Sequence, residues 1–294
     1  MARFDELAPN SGVDTVKSDQ AWIIVPERGS TQVFLREGAG YSLNVKSDGG
    51  KVGWSDVPPP PHSRDPDNLV ASASRGKTDR LLKIASEKTG MGRINATKDR
   101  FAVSIGFSVH PKKTFKISFF FLHDKSGTTS KSRTTFSPSN AATWVKDLSG
   151  VYGPQANIWF ELGKAEALPL DGLSEVVSDE QAPLLEGKKD TALINIFLAG
   201  SKIKSNESDF PLGFYAIQQK LIVVKDQTST ETGSKPMLKT MAHEIAHLFN
   251  YHRKASTEGH DYYKTCGYKS DVLNTLDGND IKIPHQRVLD WNPW

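Results

Sequence analysis

Two histidines and a glutamate lie close together in a stretch that has the pattern of a buried helix. They are His243, Glu244 and His247, in the sequence TMAHEIAHLFN of residues 240–250. Residues four apart lie on the same face of an α-helix, so both imidazoles can reach one Zn²⁺ at about 2.0–2.1 Å. Glu244 projects to one side of the pair, where it can accept a proton without being a metal ligand. The alternative is an amphipathic helix with solvated histidines, and the spacing favours the metal site.

The residues around this group predict the extent and orientation of the helix. Ser234 can cap its start, and Pro236 is tolerated in a first turn. Apolar residues recur at helical spacing, which predicts one face packed against a core and leaves the two histidines beside that face. These apolar residues are Met237, Leu238, Met241, Ile245, Leu248 and Phe249.

Length, charge and cysteine content limit the class of protein. The 294 residues suggest two domains or one large one, and a net charge of +3 from scattered basic residues does not indicate a nucleic-acid partner. Cys266 is the single cysteine, so no intrachain disulfide is possible. There is no run of eighteen apolar residues, so we expect no membrane span. The first residues have no apolar signal core, which implies that export does not use the general route or that a signal has been removed.

The first part of the chain has the pattern of an all-β domain. Residues 1–18 are polar and are predicted to form a flexible tail. Residues 19–112 contain short runs that alternate apolar and polar residues between turn signals, which predicts a β-sandwich. The predicted strands are Trp22 to Val25, Gln32 to Leu35, Tyr41 to Val45, Leu69 to Ala73, Leu81 to Ala85, Arg93 to Ala96 and Phe101 to Val109. By this rhythm the segment resembles a bacterial immunoglobulin-like module, which implies docking to a protein or a carbohydrate partner.

The pattern changes after a predicted linker at residues 110–113. Residues 113–294 are predicted to form a second domain in which strands and helices mix. The predicted strands are Phe115 to Leu122, Asn157 to Leu162, Leu193 to Leu198, Phe214 to Ile217 and Leu221 to Val224. A helix is predicted to begin at Ser137-Pro138 and to end at Gly153-Pro154, and residues 164–190 are predicted to be a polar insertion. The fold class is therefore α+β.

The order of these elements and the helix with its two histidines resemble the metzincin metallopeptidases. The resemblance covers roughly residues 114–294 and implies a zincin fold, a zinc cofactor and a peptide or protein substrate. Metzincins continue the helix sequence as H-E-x-x-H-x-x-G-x-x-H, followed by a methionine turn. Here Asn250 stands at the glycine position, where it can end the helix, and Arg253 stands at the third histidine position. No methionine follows.

The third zinc ligand therefore has three candidates. Arg253 stays protonated and cannot be a ligand. His252 would point about 180° away from His243 if the helix continued. His260 follows a polar insertion and a glycine, so its loop can return to the metal, and Asp261 beside it could be a ligand or could orient an imidazole. We favour His260 over His252, with Asp261 after both.

The sequence thus predicts a zinc-dependent endopeptidase in which His243, His247 and His260 hold Zn²⁺ and Glu244 is the general base. From the resemblance, the strand around Phe214 to Ile217 is the edge along which a peptide would lie. The alternative function is that of a non-catalytic two-domain binding protein whose degenerate zincin domain keeps a structural metal. A secreted or delivered bacterial toxin is a third possibility, compatible with the peptidase chemistry and supported only by the missing signal core.

Overall fold

A computed structural model describes most of the chain up to the end of the histidine-bearing helix. The described residues are 2–5, 13–14, 22–48, 51–58, 78–125, 133–171, 177–200, 203–204, 212–216, 218–226 and 236–253. They form two compact units. The first contains the described residues up to Lys113 together with Tyr152–Asn157, and the second contains Thr114–Val151 and the described residues from Ile158 on. None of the helices in these ranges has the length and apolarity that a membrane-spanning helix needs.

The first unit contains two sheets built from nine strands. Their bounds are β1 Arg3–Asp5, β2 Val13–Asp14, β3 Trp22–Pro26, β4 Ser30–Arg36, β5 Ser42–Asp48, β6 Val52–Asp56, β7 Arg80–Ser86, β8 Gly90–Lys98 and β9 Phe101–His110. One sheet has the order β1-β4-β7-β6 and the other the order β2-β3-β9-β8-β5. All pairs are antiparallel except β3 with β9, which run parallel.

Both sheets contribute side chains to one hydrophobic cluster. Val33 and Leu35 of β4 and Leu82 of β7 come from the first sheet, and Ile94 of β8 and Phe107 of β9 come from the second. All five are fully buried. Alternation of apolar residues along each strand produces this cluster, because successive side chains of a strand point to opposite faces.

The structure differs from the sequence-based prediction at both ends of this unit. Residues 1–18 were expected to be a flexible tail, but Phe4 is buried in the core and β1 pairs with β4. Burial of its phenylalanine outweighs the polar character of the tail. At the other end, only two residues separate β9 from β10 (Lys113–Asp124), and His110 of the expected linker is buried. The expected strand Leu69 to Ala73 lies outside the described residues.

The second unit is built on a mixed five-stranded sheet. The strands and helices from β10 onward are β10, α1 Ala141–Ala156, β11 Ile158–Leu170, β12 Val177–Ser178, α2 Ala182–Glu186, β13 Ile194–Ala199, β14 Ile203–Lys204, β15 Gly213–Ala216, β16 Leu221–Lys225 and α3 Pro236–Arg253. The last turn of α1, from Tyr152 on, is assigned to the first unit. The sheet order is β11-β10-β13-β16-β15. β13 runs parallel to β10 and to β16, whereas β15 is antiparallel to β16. The short strands β12 and β14 form a separate parallel pair.

Residues of β10 are buried on both faces of this sheet. Phe120 and Leu122 belong to a cluster that includes Phe197 of β13. The alternate residues Phe119 and Phe121 face α1, where their rings lie 5.7 and 6.0 Å from that of Trp144. β10 and β13 read as nearly continuous apolar runs because parallel strands in the middle of a sheet are covered on both sides. The expected mixture of strands and helices is confirmed.

Two sequence-based boundaries in this part of the chain are wrong. Helix α1 continues through Pro154 to Ala156 instead of ending at Gly153-Pro154. The expected polar insertion at residues 164–190 contains the second half of β11, the strand β12 and the helix α2. β11 lies at the edge of the sheet, where many of its side chains are exposed. Polar residues are therefore tolerated there, and its sequence lacks the apolar alternation that indicates a strand. Helix α3 continues past Asn250 to Arg253.

Candidate metal centre

The helix that carries the two histidines is packed against the sheet by its apolar residues. Met241, Ile245 and Leu248 of α3 are completely buried, as the helical spacing predicts. Phe249 contacts Phe115 of β10 with ring centroids 5.4 Å apart. The helix also packs on β15 and β16. Rigid packing matters for a metal site, because ligands must be held in a fixed geometry before the ion arrives.

His243 and His247 lie side by side on this helix with their Nε2 atoms directed at each other. The two Nε2 atoms are 3.1 Å apart. The ring centroids are 4.7 Å apart, and the rings are nearly perpendicular, at 77°. Both side chains are half-buried. The sequence-based expectation that one helical turn brings the two imidazoles together is therefore met in the structure.

The distance between the two nitrogens fits a shared tetrahedral zinc ion. Two ligand nitrogens, each about 2.05 Å from Zn²⁺ at a tetrahedral angle, are about 3.3 Å apart. The observed 3.1 Å is close to this value. A neutral imidazole is also the ligand form that zinc prefers, and two rings this close cannot both carry an Nε2 proton between them. The two imidazoles can therefore serve as two of the protein ligands that a zinc site needs.

Glu244 is buried beside the histidine pair. Its side chain is only 5% exposed, which is unusual for a carboxylate without a specific role or partner. Strand β15 lies against it, and a methyl group added to Gly213 would come within 3.1 Å of both Cγ and Oε1 of Glu244. The same methyl group would lie 2.8 Å from Cγ2 of Thr240, one helical turn earlier. Glu244 is thus enclosed between the helix and the sheet edge.

Of the three candidates for the third ligand, His252 lies within the described residues, at the end of α3. His260 and Asp261 lie outside the described residues. Within the described ranges, no group of three or more His, Cys, Asp or Glu side chains is arranged to hold a metal ion. The backbone of α3 remains helical through position 252. That position follows His243 by nine residues, so it lies about 180° around the helix axis from it.

Sequence analysis did not identify Gly213 as part of this site. The predicted strand began one residue later, at Phe214. A glycine at the start of a short apolar strand is a recognised sign of a close approach by another part of the chain. That signal was present in the sequence, but only the structure identifies Thr240 and Glu244 as what approaches.

Comparison with known proteins gives structural likenesses at low sequence identity. No protein-family model and no curated protein matches the chain. An archaemetzincin from Methanopyrus kandleri is 15% identical with a TM-score of 0.39, over 61% of this chain and 94% of that one. A zinc-dependent peptidase from Methanocorpusculum labreanum is 14% identical with a TM-score of 0.35, over 60% and 100%. A surface-layer protein, rSbsC, is 13% identical with a TM-score of 0.20, over 37% and 13%.

Proposed function

We propose that the protein is a zinc-dependent endopeptidase. In this proposal His243 and His247 are two of the zinc ligands, His260 is the third, and Glu244 is the general base. The observation that carries the proposal is the 3.1 Å separation of the two Nε2 atoms next to a buried glutamate on the same helix.

The chemistry follows from the residue types. A bound Zn²⁺ would supply Lewis acidity, which lowers the pKa of water toward neutrality and polarises a peptide carbonyl. Glu244 would accept the proton of the attacking water and pass it to the leaving amine. Glu244 is 5% exposed, so in this proposal few solvent molecules would compete with the reacting water for its carboxylate. His243 and His247 would bind the zinc as neutral imidazoles and would hold it next to Glu244.

Strand β15 is the proposed binding edge for the peptide substrate. It is at the end of the sheet order and pairs with β16 on its other side. A peptide in extended conformation could add to such an edge through backbone hydrogen bonds, with its side chains entering flanking pockets. This part of the proposal comes from the resemblance to metzincins, and the contact between β15 and α3 supports it.

The proposed third ligand is His260. Continuation of the helix through Arg253 supports this choice over His252, because position 252 is then on the side of the helix opposite to His243. Asp261 would be a second ligand candidate or a hydrogen-bond partner that orients the imidazole of His260.

We further propose that the first unit is an immunoglobulin-like sandwich that docks a protein or carbohydrate partner. The strand orders β1-β4-β7-β6 and β5-β8-β9 support the fold, since they match the two sheets A-B-E-D and C-F-G of immunoglobulin constant domains. Secretion or delivery to another cell as a bacterial toxin stays a prediction, to be tested by measuring where the protein accumulates.

The test combines metal analysis with an unbiased substrate. The purified protein is incubated with a proteome-derived peptide mixture, and new termini are identified by mass spectrometry. We expect the zinc-loaded wild type to generate new termini, and Glu244→Gln to keep its zinc while losing roughly 10²–10⁴-fold in rate, because the base is removed and no ligand is. Glu161→Gln, at an exposed position of β11, is the matched control and should remain active.

Two results would contradict the proposal. Undiminished hydrolysis by Glu244→Gln would exclude this carboxylate as the base. Stoichiometric zinc in a wild-type protein that cleaves no peptide would favour the alternative function, a binding protein with a structural metal.

A further inference from the structure

Gly213 is the residue of β15 that lies closest to the proposed general base. A Cβ atom at this position would be 2.8 Å from Cγ2 of Thr240 and 3.1 Å from Cγ and Oε1 of Glu244. The first distance is shorter than real Cβ contacts, and the others are shorter than most of them. The absence of a side chain at position 213 is therefore a condition for the observed position of the Glu244 carboxylate.

The requirement at this position is one of space and not of backbone conformation. Among the described glycines, a left-handed φ occurs at Gly40 and Gly90, and Gly213 is not one of these. Any amino acid could adopt the backbone conformation of Gly213. What a larger residue cannot do is occupy the volume that Thr240 and Glu244 already fill.

The strand cannot relieve such a conflict by moving away without breaking its pairing. Gly213 is opposite Val224 in the antiparallel ladder of β15 and β16. The preceding residue, Leu212, accepts a hydrogen bond of 3.0 Å from the amide of Lys225. On the helix side, Thr240 and Glu244 are both buried, at 2% and 5% exposure. A side chain at position 213 would therefore displace the flexible end of Glu244 first.

We propose that Gly213 is a positioning residue for the peptidase reaction, because its missing side chain lets the edge strand hold the Glu244 carboxylate in place. This inference rests on the proposed function. Gly213 does not touch the reacting atoms. It acts on the base, so its substitution changes the rate of the chemical step more than it changes substrate or zinc binding.

The experiment compares two glycines in strands. Gly213→Ala adds a methyl group against Glu244, whereas Gly53→Ala in β6 adds one where nothing lies within 4 Å. On a peptide that the wild type cleaves, we expect Gly213→Ala to lower kcat roughly five- to tenfold, since a misplacement of about 1 Å can cost about 100-fold and the carboxylate must move a few tenths of that. KM should stay within roughly twofold and zinc content should be unchanged, because β15 and the histidines keep their positions.

A second variant separates the effect of the contact with Thr240 from the effect of the contacts with Glu244. Thr240→Ser keeps the hydroxyl group and removes Cγ2, the atom in the shorter contact. The double variant Gly213→Ala/Thr240→Ser should recover thermal stability relative to Gly213→Ala, because the shortest overlap of the added methyl group, with Cγ2 of Thr240, is removed. It should not recover kcat, because the contacts with Glu244 remain.

The outcomes distinguish this inference from the proposed function. A wild-type protein that cleaves no peptide refutes the proposed function and this inference with it. An active wild type with an equally active Gly213→Ala refutes the inference alone. Recovery of kcat in the double variant to the level of Thr240→Ser also refutes it, since the effect would then run through the helix–strand distance and not through Glu244.

Discussion

His110 gives the most quantitative test of the structure, because it is a titratable group buried in the core of the first unit. It ends strand β9, its side chain is 2% exposed, and its Nε2 atom lies 2.8 Å from Oγ of Ser108. Burial, with a smaller contribution from the positive charge of Lys113, lowers the pKa of His110 from 6.5 to about 4. The folded protein therefore resists protonating a group that the unfolded chain protonates readily.

The sign and size of the effect follow from this shift in pKa. Between about pH 6.5 and pH 4 the unfolded chain binds a proton at this imidazole and the folded protein does not, so the free energy of unfolding falls as the pH falls through this range. At about 1.36 kcal/mol per pKa unit, the full shift corresponds to about 3 kcal/mol. By the same linkage, roughly 2 kcal/mol should be lost between about pH 7 and pH 4.5.

The measurement is urea denaturation of the full chain at several pH values in this range. His110→Gln replaces the imidazole by a neutral amide that can still meet Ser108, so its stability should depend less on pH than that of the wild type. The difference between the two proteins isolates His110, since the other histidines contribute equally to both.

Parallel stability curves for wild type and His110→Gln would refute the reasoning. That result would mean that the imidazole is accessible to protons in the folded state, and therefore that it is not enclosed at the end of β9 as described. A constant offset between the curves has no bearing on the test, because a loss of packing affects all pH values alike.

The remaining predictions concern the metal and the core of the second unit. His260→Ala should lower the zinc content, whereas His252→Ala should not, and elemental analysis that gives the reverse would make His252 the ligand. Zn²⁺ at about 100 times its Kd should stabilise the protein by about 2.7 kcal/mol, seen as a rise in Tm that a chelator abolishes. Phe120→Ala should cost about 3–5 kcal/mol in urea denaturation, because the ring is fully buried in the sheet. Leu184→Ala, at a position 44% exposed on α2, should change stability by less than about 0.5 kcal/mol, and equal losses in the two variants would contradict the described core.

Elements with a strong apolar pattern could be predicted from the sequence. β9 has apolar residues at alternate positions, and β10 and β13 are apolar runs, so their existence was predicted and their ends were off by one or two residues. Helix α3 was predicted for the same reason, since its apolar residues recur at helical spacing. In these elements the buried faces require apolar residues at regular positions, and that pattern is visible in the sequence.

Strands at sheet edges were missed or shortened because their side chains face solvent. β6, with the sequence VGWSD, has one half-buried and four exposed residues, so buried and exposed side chains do not alternate along it. The polar half of β11 has the pattern of an insertion for the same reason, since its side chains are mostly exposed. Pairing through the backbone needs no particular side chain, so such strands depend on tertiary context that the sequence does not display.

The parts of the candidate site that are close together in the sequence could be predicted, whereas those that are distant in the sequence could not. His243 and His247 are one helical turn apart, and helix geometry alone brings them together. Gly213 lies 31 residues before Glu244 in the numbering, and only the pairing of β15 with β16 brings it to the carboxylate. The proposed third ligand, His260, follows the last residue of α3 by seven positions, and no periodicity in the sequence between them predicts where it lies.

The register of the central strands has a consequence for the order in which the protein can assemble. Ile117 of β10 pairs with Ile194 of β13, and Ile196 of β13 pairs with Ile222 of β16, so the sheet forms only after long loops have closed. Closing such loops is slow compared with forming a helix. During refolding of the full chain α3 is therefore able to form early, but it acquires the surface on which it packs only when the sheet has formed. Affinity for zinc should consequently appear during refolding together with the last cooperative phase and not with the first gain of helical signal.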